Sequence, residues 1–212
     1  SFILIVIGLL FISNTHLGYS FGDSMFRAVG LPPWTNTEYD SGLHISVMIG
    51  LLILVAGYIG AVKEYQERFP KIRSRIIIGC IAFVYLFPIV TENTMILLKY
   101  HSISADSVDF IPKNSQCSYR SQNVNVQADC TITMINYGKV KEVKIRPYLK
   151  RNTIPFQLEP MTVTLPPHQK VGISMTFHGK QLEGAGSSGW SNEIGLEIEV
   201  NGLKRMFGKR QG

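Results

Sequence analysis

The sequence predicts a membrane-embedded helical domain over residues 1–100, followed by an extracytoplasmic all-β domain over 101–212. The first holds two or three transmembrane helices; the second is an antiparallel β-sandwich of immunoglobulin-like architecture. Three observations carry this reading. Two apolar segments, 43–62 and 76–99, flank a short basic stretch, and each is long enough to cross a hydrocarbon core of about 30 Å, which a helix covers in about 20 residues. Beyond Tyr100 the apolar residues alternate with polar ones, the period of a strand with one buried face. Two of the three cysteines, Cys117 and Cys130, fall in that polar part.

Residues 1–12 are almost wholly apolar. They read as part of a helix over about 1–16 that forms a third crossing, or as the apolar region of a retained signal segment. Residues 17–42 are expected outside as an amphipathic segment. There Phe21, Met25, Phe26, Val29 and Leu31 recur at helical spacing beside Asp23, Ser24 and Arg27. Pro32-Pro33 is expected to end that helix, and Trp34 and Tyr39 suit the headgroup region, where amphipathic aromatics concentrate.

The helix over 43–62 carries Gly50, Ala56, Gly57, Gly60 and Ala61. Ala56/Gly60 and Gly57/Ala61 are small residues four apart, a spacing that lets helix backbones approach closely in lipid. The seam fits either the second hairpin helix of this chain or another subunit. Five basic residues, Lys63, Arg68, Lys71, Arg73 and Arg75, occupy the 63–75 loop, whereas Arg27 is the sole cation between 14 and 42. Basic residues of short loops stay on the cytoplasmic side, so the loop is expected inside, and segment 14–42 and the β domain outside.

In the second hairpin helix Pro88 removes a backbone donor, and the Thr91 hydroxyl is placed to satisfy the freed carbonyl. Glu92, between Thr91 and Asn93, is an intramembrane carboxylate. Such a group is costly in lipid and marks either function or a buried partner; Lys99 is the expected partner if the helix tilts.

Strands are expected over 108–111, 123–126, 129–135, 140–149, 156–158, 162–165, 171–177, 194–200 and 203–207, with a flexible loop over 179–189. Asn136-Tyr137-Gly138-Lys139 and Asn201-Gly202 are turn signals, the latter a two-residue hairpin. Strands this short and this regular indicate a sandwich or small barrel. The likeness to immunoglobulin domains is architectural, because no tryptophan lies between the two cysteines. A Cys117–Cys130 disulfide, in keeping with an oxidising compartment, is expected to tie an edge loop to a strand.

The residues exclude several chemistries. Glycine-rich phosphate loops, zinc-protease motifs and nucleophile elbows are absent. The Ser24-Met25 pair lacks a nearby lysine base, since none occurs before Lys63. His16, Glu38, Asp40 and His44 offer metal-binding side chains without a metal-site spacing. A membrane hairpin followed by a β domain is also the layout of the second subunit of haem–copper oxidases, yet no His or Met follows Cys130 at copper-ligand spacing. No metal and no other cofactor is expected.

After Tyr100 there are fourteen Lys and Arg against nine Asp and Glu. Lys139, Lys141, Lys144, Arg146, Lys150 and Arg151 form the densest run and are the expected basic surface, suited to anionic lipid or an envelope polymer. Nucleic acid is not an expected partner on that side. The function expected is a non-enzymatic, multi-pass cell-membrane protein, an accessory or scaffolding subunit of a larger complex in transport, secretion or envelope assembly. Two alternatives stand beside it: a redox or transport subunit in which Glu92 handles a proton or cation, and an envelope sensor with a ligand-binding β domain.

Overall fold

A computed structural model describes residues 1–36, 41–122, 124–149, 156–181, 188–191 and 194–208. Glu38, Tyr39, Asp40, Lys150 and Arg151, singled out above, lie outside the described residues, as does 182–187 of the expected flexible loop. The chain forms two compact units, Ser1–Thr94 and Met95–Gly212.

The first unit contains α1 (Phe2–Ile12), α2 (Phe21–Ala28), a small hairpin of β1 (Trp34–Asn36) and β2 (Ser41–His44), α3 (Ile45–Tyr65) and α4 (Ile72–Lys99), whose last turn belongs to the second unit. At 1.5 Å per residue, α3 and α4 measure about 32 and 42 Å, long and apolar enough to cross a membrane. By the same measure α1 extends about 16 Å. It ends at Ile12, short of the expected 16, because Ser13 turns the backbone into an extended conformation. The helices also run further into the basic stretch than expected. Lys63 sits in the last turn of α3 and Arg73 and Arg75 in the first turn of α4, leaving 66–71 as the connection.

Ser20 and Asp23 start α2 with a reciprocal capping box: the Ser20 hydroxyl accepts from the Asp23 amide, and the Asp23 carboxylate accepts from the Ser20 amide. The helix stops at Val29 and Gly30, before the two prolines expected to end it. Gly30 takes a positive φ of 77°, which a glycine adopts without steric cost.

Gly50 and Gly57 of α3 face α1. A β-carbon on Gly57 would lie 2.8 Å from the Ile5 nitrogen, and one on Gly50 would lie 2.6 Å from Cβ of Phe11. From the other side, a β-carbon on Gly8 would lie 2.7 Å from the Leu54 nitrogen. The two helices therefore run antiparallel at a backbone separation that only glycine permits. Ala61, fully buried, joins Ile5, Leu9, Ile72 and Ile76 in the apolar cluster of this unit. Ala56 is exposed, so the Ala56/Gly60 pair is not packed against another helix of this chain among the described residues.

The second unit holds ten strands among the described residues: β3 (Val108–Phe110), β4 (Gln116–Gln122), β5 (Asn125–Asn136), β6 (Glu142–Leu149), β7 (Phe156–Leu158), β8 (Met161–Thr164), β9 (Gln169–Gln181), β10 (Ser188–Ser191), β11 (Ile194–Val200) and β12 (Leu203–Phe207). One sheet has the order β10-β4-β5-β9-β7, with β3 also paired to β5; the other has the order β12-β11-β6-β8. All pairings are antiparallel. Alternation sends Cys130, Ile132 and Met134 of β5 and Phe177 of β9 into the same core as Val143 and Ile145 of β6 and Leu196 and Ile198 of β11. Asn136 secures the passage from β5 to β6 by donating to the carbonyls of Val140, at 2.7 Å, and Pro166, at 3.1 Å. Asn201 and Gly202, both at positive φ, form the two-residue turn between β11 and β12.

The disulfide differs from the expected staple. Cys117 and Cys130 are directly opposed on β4 and β5, with Cα atoms 4.1 Å apart, so both ends lie in one sheet. The 116–122 segment is a strand, not a loop, and β9 and β10 take up both ends of the expected flexible loop.

Substituting Gly57 by Leu should weaken the helical unit by about 1–3 kcal/mol through overpacking against α1. The same change at exposed Ala56 should be nearly silent. Unfolding of the two variants in detergent, followed by loss of helical ellipticity, checks the difference.

Candidate functional site

The polar step of α4 is the expected intramembrane site. Its three members have different surroundings. The Thr91 hydroxyl donates to the carbonyl of Pro88 at 2.9 Å and accepts from the His16 amide at 3.3 Å, with the His16 ring Nδ1 3.1 Å away. The carbonyl freed by Pro88 is that of Val84, one turn earlier, so Thr91 does not satisfy it as expected; it ties the 13–20 segment to α4. Asn93 donates to the carbonyl of Ile89 at 2.9 Å and is exposed. Glu92 is half-buried and has no side-chain partner among the described residues. Lys99, its expected partner, instead donates to the Asp106 carbonyl and lies 5.7 Å from the Tyr137 ring centre.

Elsewhere α4 is largely bare. Only 6% of its most apolar stretch is buried, against 22% for α3. Ile78, Ile81, Tyr85, Leu86, Ile89 and Val90 are all exposed and fall on several sides of the helix. Close packing of α1 occupies the glycine face of α3, including Gly50 and Gly57, while Gly60 approaches Ser1.

A second polar centre, not anticipated as a unit, lies where α2 meets the start of α3. Asp23 is buried and receives two hydrogen bonds on one oxygen, from Nε2 of His44 at 2.7 Å and from Oγ of Ser46 at 2.5 Å. Its other oxygen serves the Ser20 amide. A carboxylate accepts only, so Nε2 of His44 carries the proton. The Trp34 ring stacks on His44 at 3.8 Å. Because His44 stands at the N-cap position and Ser46 in the first turn of α3, and Asp23 lies in the first turn of α2, this one carboxylate lies at the positive ends of two helices. Burial pushes the Asp23 carboxyl up; the hydrogen bonds from Ser46, His44 and Ser20, with the charge of His44, outweigh burial and hold it below its ordinary value. Ser46 bonds to the aspartate and not to the imidazole, so the group lacks the serine–base contact of a hydrolytic triad. It braces two helix starts. The Ser20-x-x-Asp23 spacing was a legible sign of the cap, but the approach of residues 44 and 46 was not.

No group of three or more potential metal ligands occurs among the described residues. His44, which the sequence grouped with Glu38, Asp40 and His16, is engaged by Asp23 instead.

The expected basic surface is partly neutralised. Arg146 of β6 lies opposite Glu197 of β11 and is ion-paired with it. Lys204 of β12 reaches the same carboxylate at 3.3 Å and Glu199 at 3.8 Å. Burial pushes Glu197 up, but hydrogen bonds and charge from Arg146 and Lys204 hold it below its ordinary value. Lys144 lies opposite Glu199 on the same outward face, and Lys141 is exposed. Lys139 turns to the chain after α4, its ammonium 5.4 Å from the Tyr100 ring centre and 3.4 Å from His101 Nδ1. Cys117 and Cys130 are spent on the disulfide.

No family model, curated protein or solved structure matches this chain.

Since the folded-state Asp23 is depressed, its ionised form adds stability that is complete above the ordinary carboxylate range and lost as pH falls through the folded value. Melting of the helical signal should therefore move to lower temperature on acidification, and Asp23→Asn should flatten that dependence. Asp23→Ala, which strands the donors of His44 and Ser46, should cost about 1–3 kcal/mol at neutral pH. Circular dichroism melts across pH read both effects.

Proposed function

We propose that the chain is a non-enzymatic, multi-pass subunit of a larger membrane complex, with α3 and α4 crossing the bilayer and a β-sandwich of immunoglobulin-like architecture outside. The short connection at 66–71 and the cations beside it lie on the cytoplasmic face, following the distribution of basic residues in short loops. The Cys117–Cys130 disulfide supports an oxidising environment for the β unit.

One observation carries the assembly reading: α4 is uncovered on several sides and yet presents Glu92 and Asn93 within an apolar run. Lipid tails would satisfy the apolar side chains but not a carboxylate. A second helix offering a hydrogen-bonding side chain would satisfy both, and such interhelical bonds contribute about 0.6–2 kcal/mol. The glycine seam of α3 is not the docking face in this reading, because α1 already fills it. Partner helices dock on α4, and the complex belongs to transport, secretion or envelope assembly.

Purification in mild detergent tests the assignment. The native chain should co-migrate with other membrane proteins. Replacing Glu92 and Asn93 together by Leu should reduce their recovery roughly 3- to 30-fold while the chain accumulates normally. Glu92→Gln, which still donates and accepts, should retain them. A monomeric native chain, or partners indifferent to the double substitution, would overturn the assembly role.

A further inference from the structure

The outward face of the larger sheet carries a feature that neither the helices nor the ion-paired face of the smaller sheet explains. Cross-strand register sets Trp190 of β10, Ser118 of β4, Asp129 of β5 and Thr176 of β9 in one row. The next row holds Gln116, Thr131 and Ser174. Together with Cys130 and Met175 beneath them, these residues line a groove of about 410 Å³, within the roughly 300–1,000 Å³ range of small-molecule clefts.

The groove has a definite chemistry. Its lining contains hydroxyls, one amide and one carboxylate, but no Lys or Arg. Two cross-strand bonds hold three of the four hydroxyls in place: Thr176 donates to Asp129 at 2.6 Å, and Thr131 and Ser174 share a hydrogen bond at 3.1 Å. Rows two residues apart along a strand lie about 6.8 Å apart, and neighbouring strands about 4.8 Å apart. That is a grid on the scale of a sugar ring. Trp190 stands at the rim with 62% of its surface exposed, although nothing in the strand pairing requires a large aromatic there. A flat indole beside fixed polar groups suits a ligand with an apolar ring face and a polar edge.

We propose that this groove binds an uncharged oligosaccharide, one pyranose ring stacked on Trp190 and its hydroxyls bonded to Asp129, Gln116 and the Ser/Thr row. The charge pattern selects this ligand over an anionic polymer. The β unit is basic overall, fourteen Lys and Arg against nine Asp and Glu after Tyr100, yet the single charge in the groove is the Asp129 carboxylate, which repels an anion and accepts from sugar hydroxyls. The binding is independent of what docks on α4, so it extends the assembly role without resting on it.

Trp34 and Trp190 are the two tryptophans of the chain, so the full-length Trp34→Phe protein reports on the groove alone. Reconstituted in lipid nanodiscs, free of sugar-based detergent, it is titrated with the tetrasaccharides of N-acetylglucosamine, glucose and mannose. At least one should change the Trp190 emission saturably. By calorimetry on the wild-type background, Trp190→Ala should weaken that binding at least tenfold, and Asp129→Asn or Ser174→Ala several-fold. The exposed position of Trp190 leaves folding intact, which disulfide formation and circular dichroism verify. Overturning results are no saturable response to any of the three sugars, binding that survives Trp190→Ala, or a response to an anionic polysaccharide alone.

Discussion

The approach of α1 to α3 at glycine distance governs the helical unit. With Gly8, Gly50 and Gly57 in the seam, the two backbones come close enough for dispersion contacts along the length of α1. That choice of neighbour removes the small-residue face of α3 from any other use. It also leaves α4 with little protein around it, packed chiefly through Ile72 and Ile76 near its start. α4 keeps an exposed apolar surface, and Glu92 has no side-chain partner among the described residues.

In the β unit the organising element is β5. It pairs with β3, β4 and β9, and its alternating residues divide the two environments of the sheet. Cys130, Ile132 and Met134 enter the core, whereas Asp129 and Thr131 reach the groove. Core and groove are thus two faces of one strand, and a register slip of one residue would exchange them. On the smaller sheet the same alternation produces the opposite chemistry, with Arg146, Glu197 and Lys204 meeting across three strands. Such cross-strand pairs contribute modestly at an exposed face; of the basic run they engage Arg146, while Lys141 stays exposed.

Periodicity made some elements readable and left others hidden. Strand β11 shows through Ile194, Leu196, Ile198 and Val200, all buried, because its own side chains supply the alternation. Strand β4 does not: Gln116-Cys117-Ser118-Tyr119-Arg120-Ser121-Gln122 has weak strand preference, and its conformation comes from hydrogen bonding to β5 and β10. The α1–α3 seam was half legible. Small residues announced a close helix contact, but spacing cannot say which helix makes it. The Asp23 centre was less legible still, since its partners are 21 and 23 positions away. Of the groove, nothing could be read, because Trp190, Ser118 and Asp129 are brought together by register alone.

Two apolar helices able to cross a membrane, an antiparallel β-rich region after them, and a cysteine pair suited to oxidation are legible in the residues alone. Each follows from local quantities: length of apolar run, period of alternation, and residue type. Long-range packing is what places α1 on the glycine face of α3, joins two helix starts through Asp23, neutralises Arg146 and sets a polar groove beside an exposed tryptophan. These depend on which backbones approach and in what register, and that is settled by the combined burial and hydrogen bonding of segments far apart in the chain, not by any one of them.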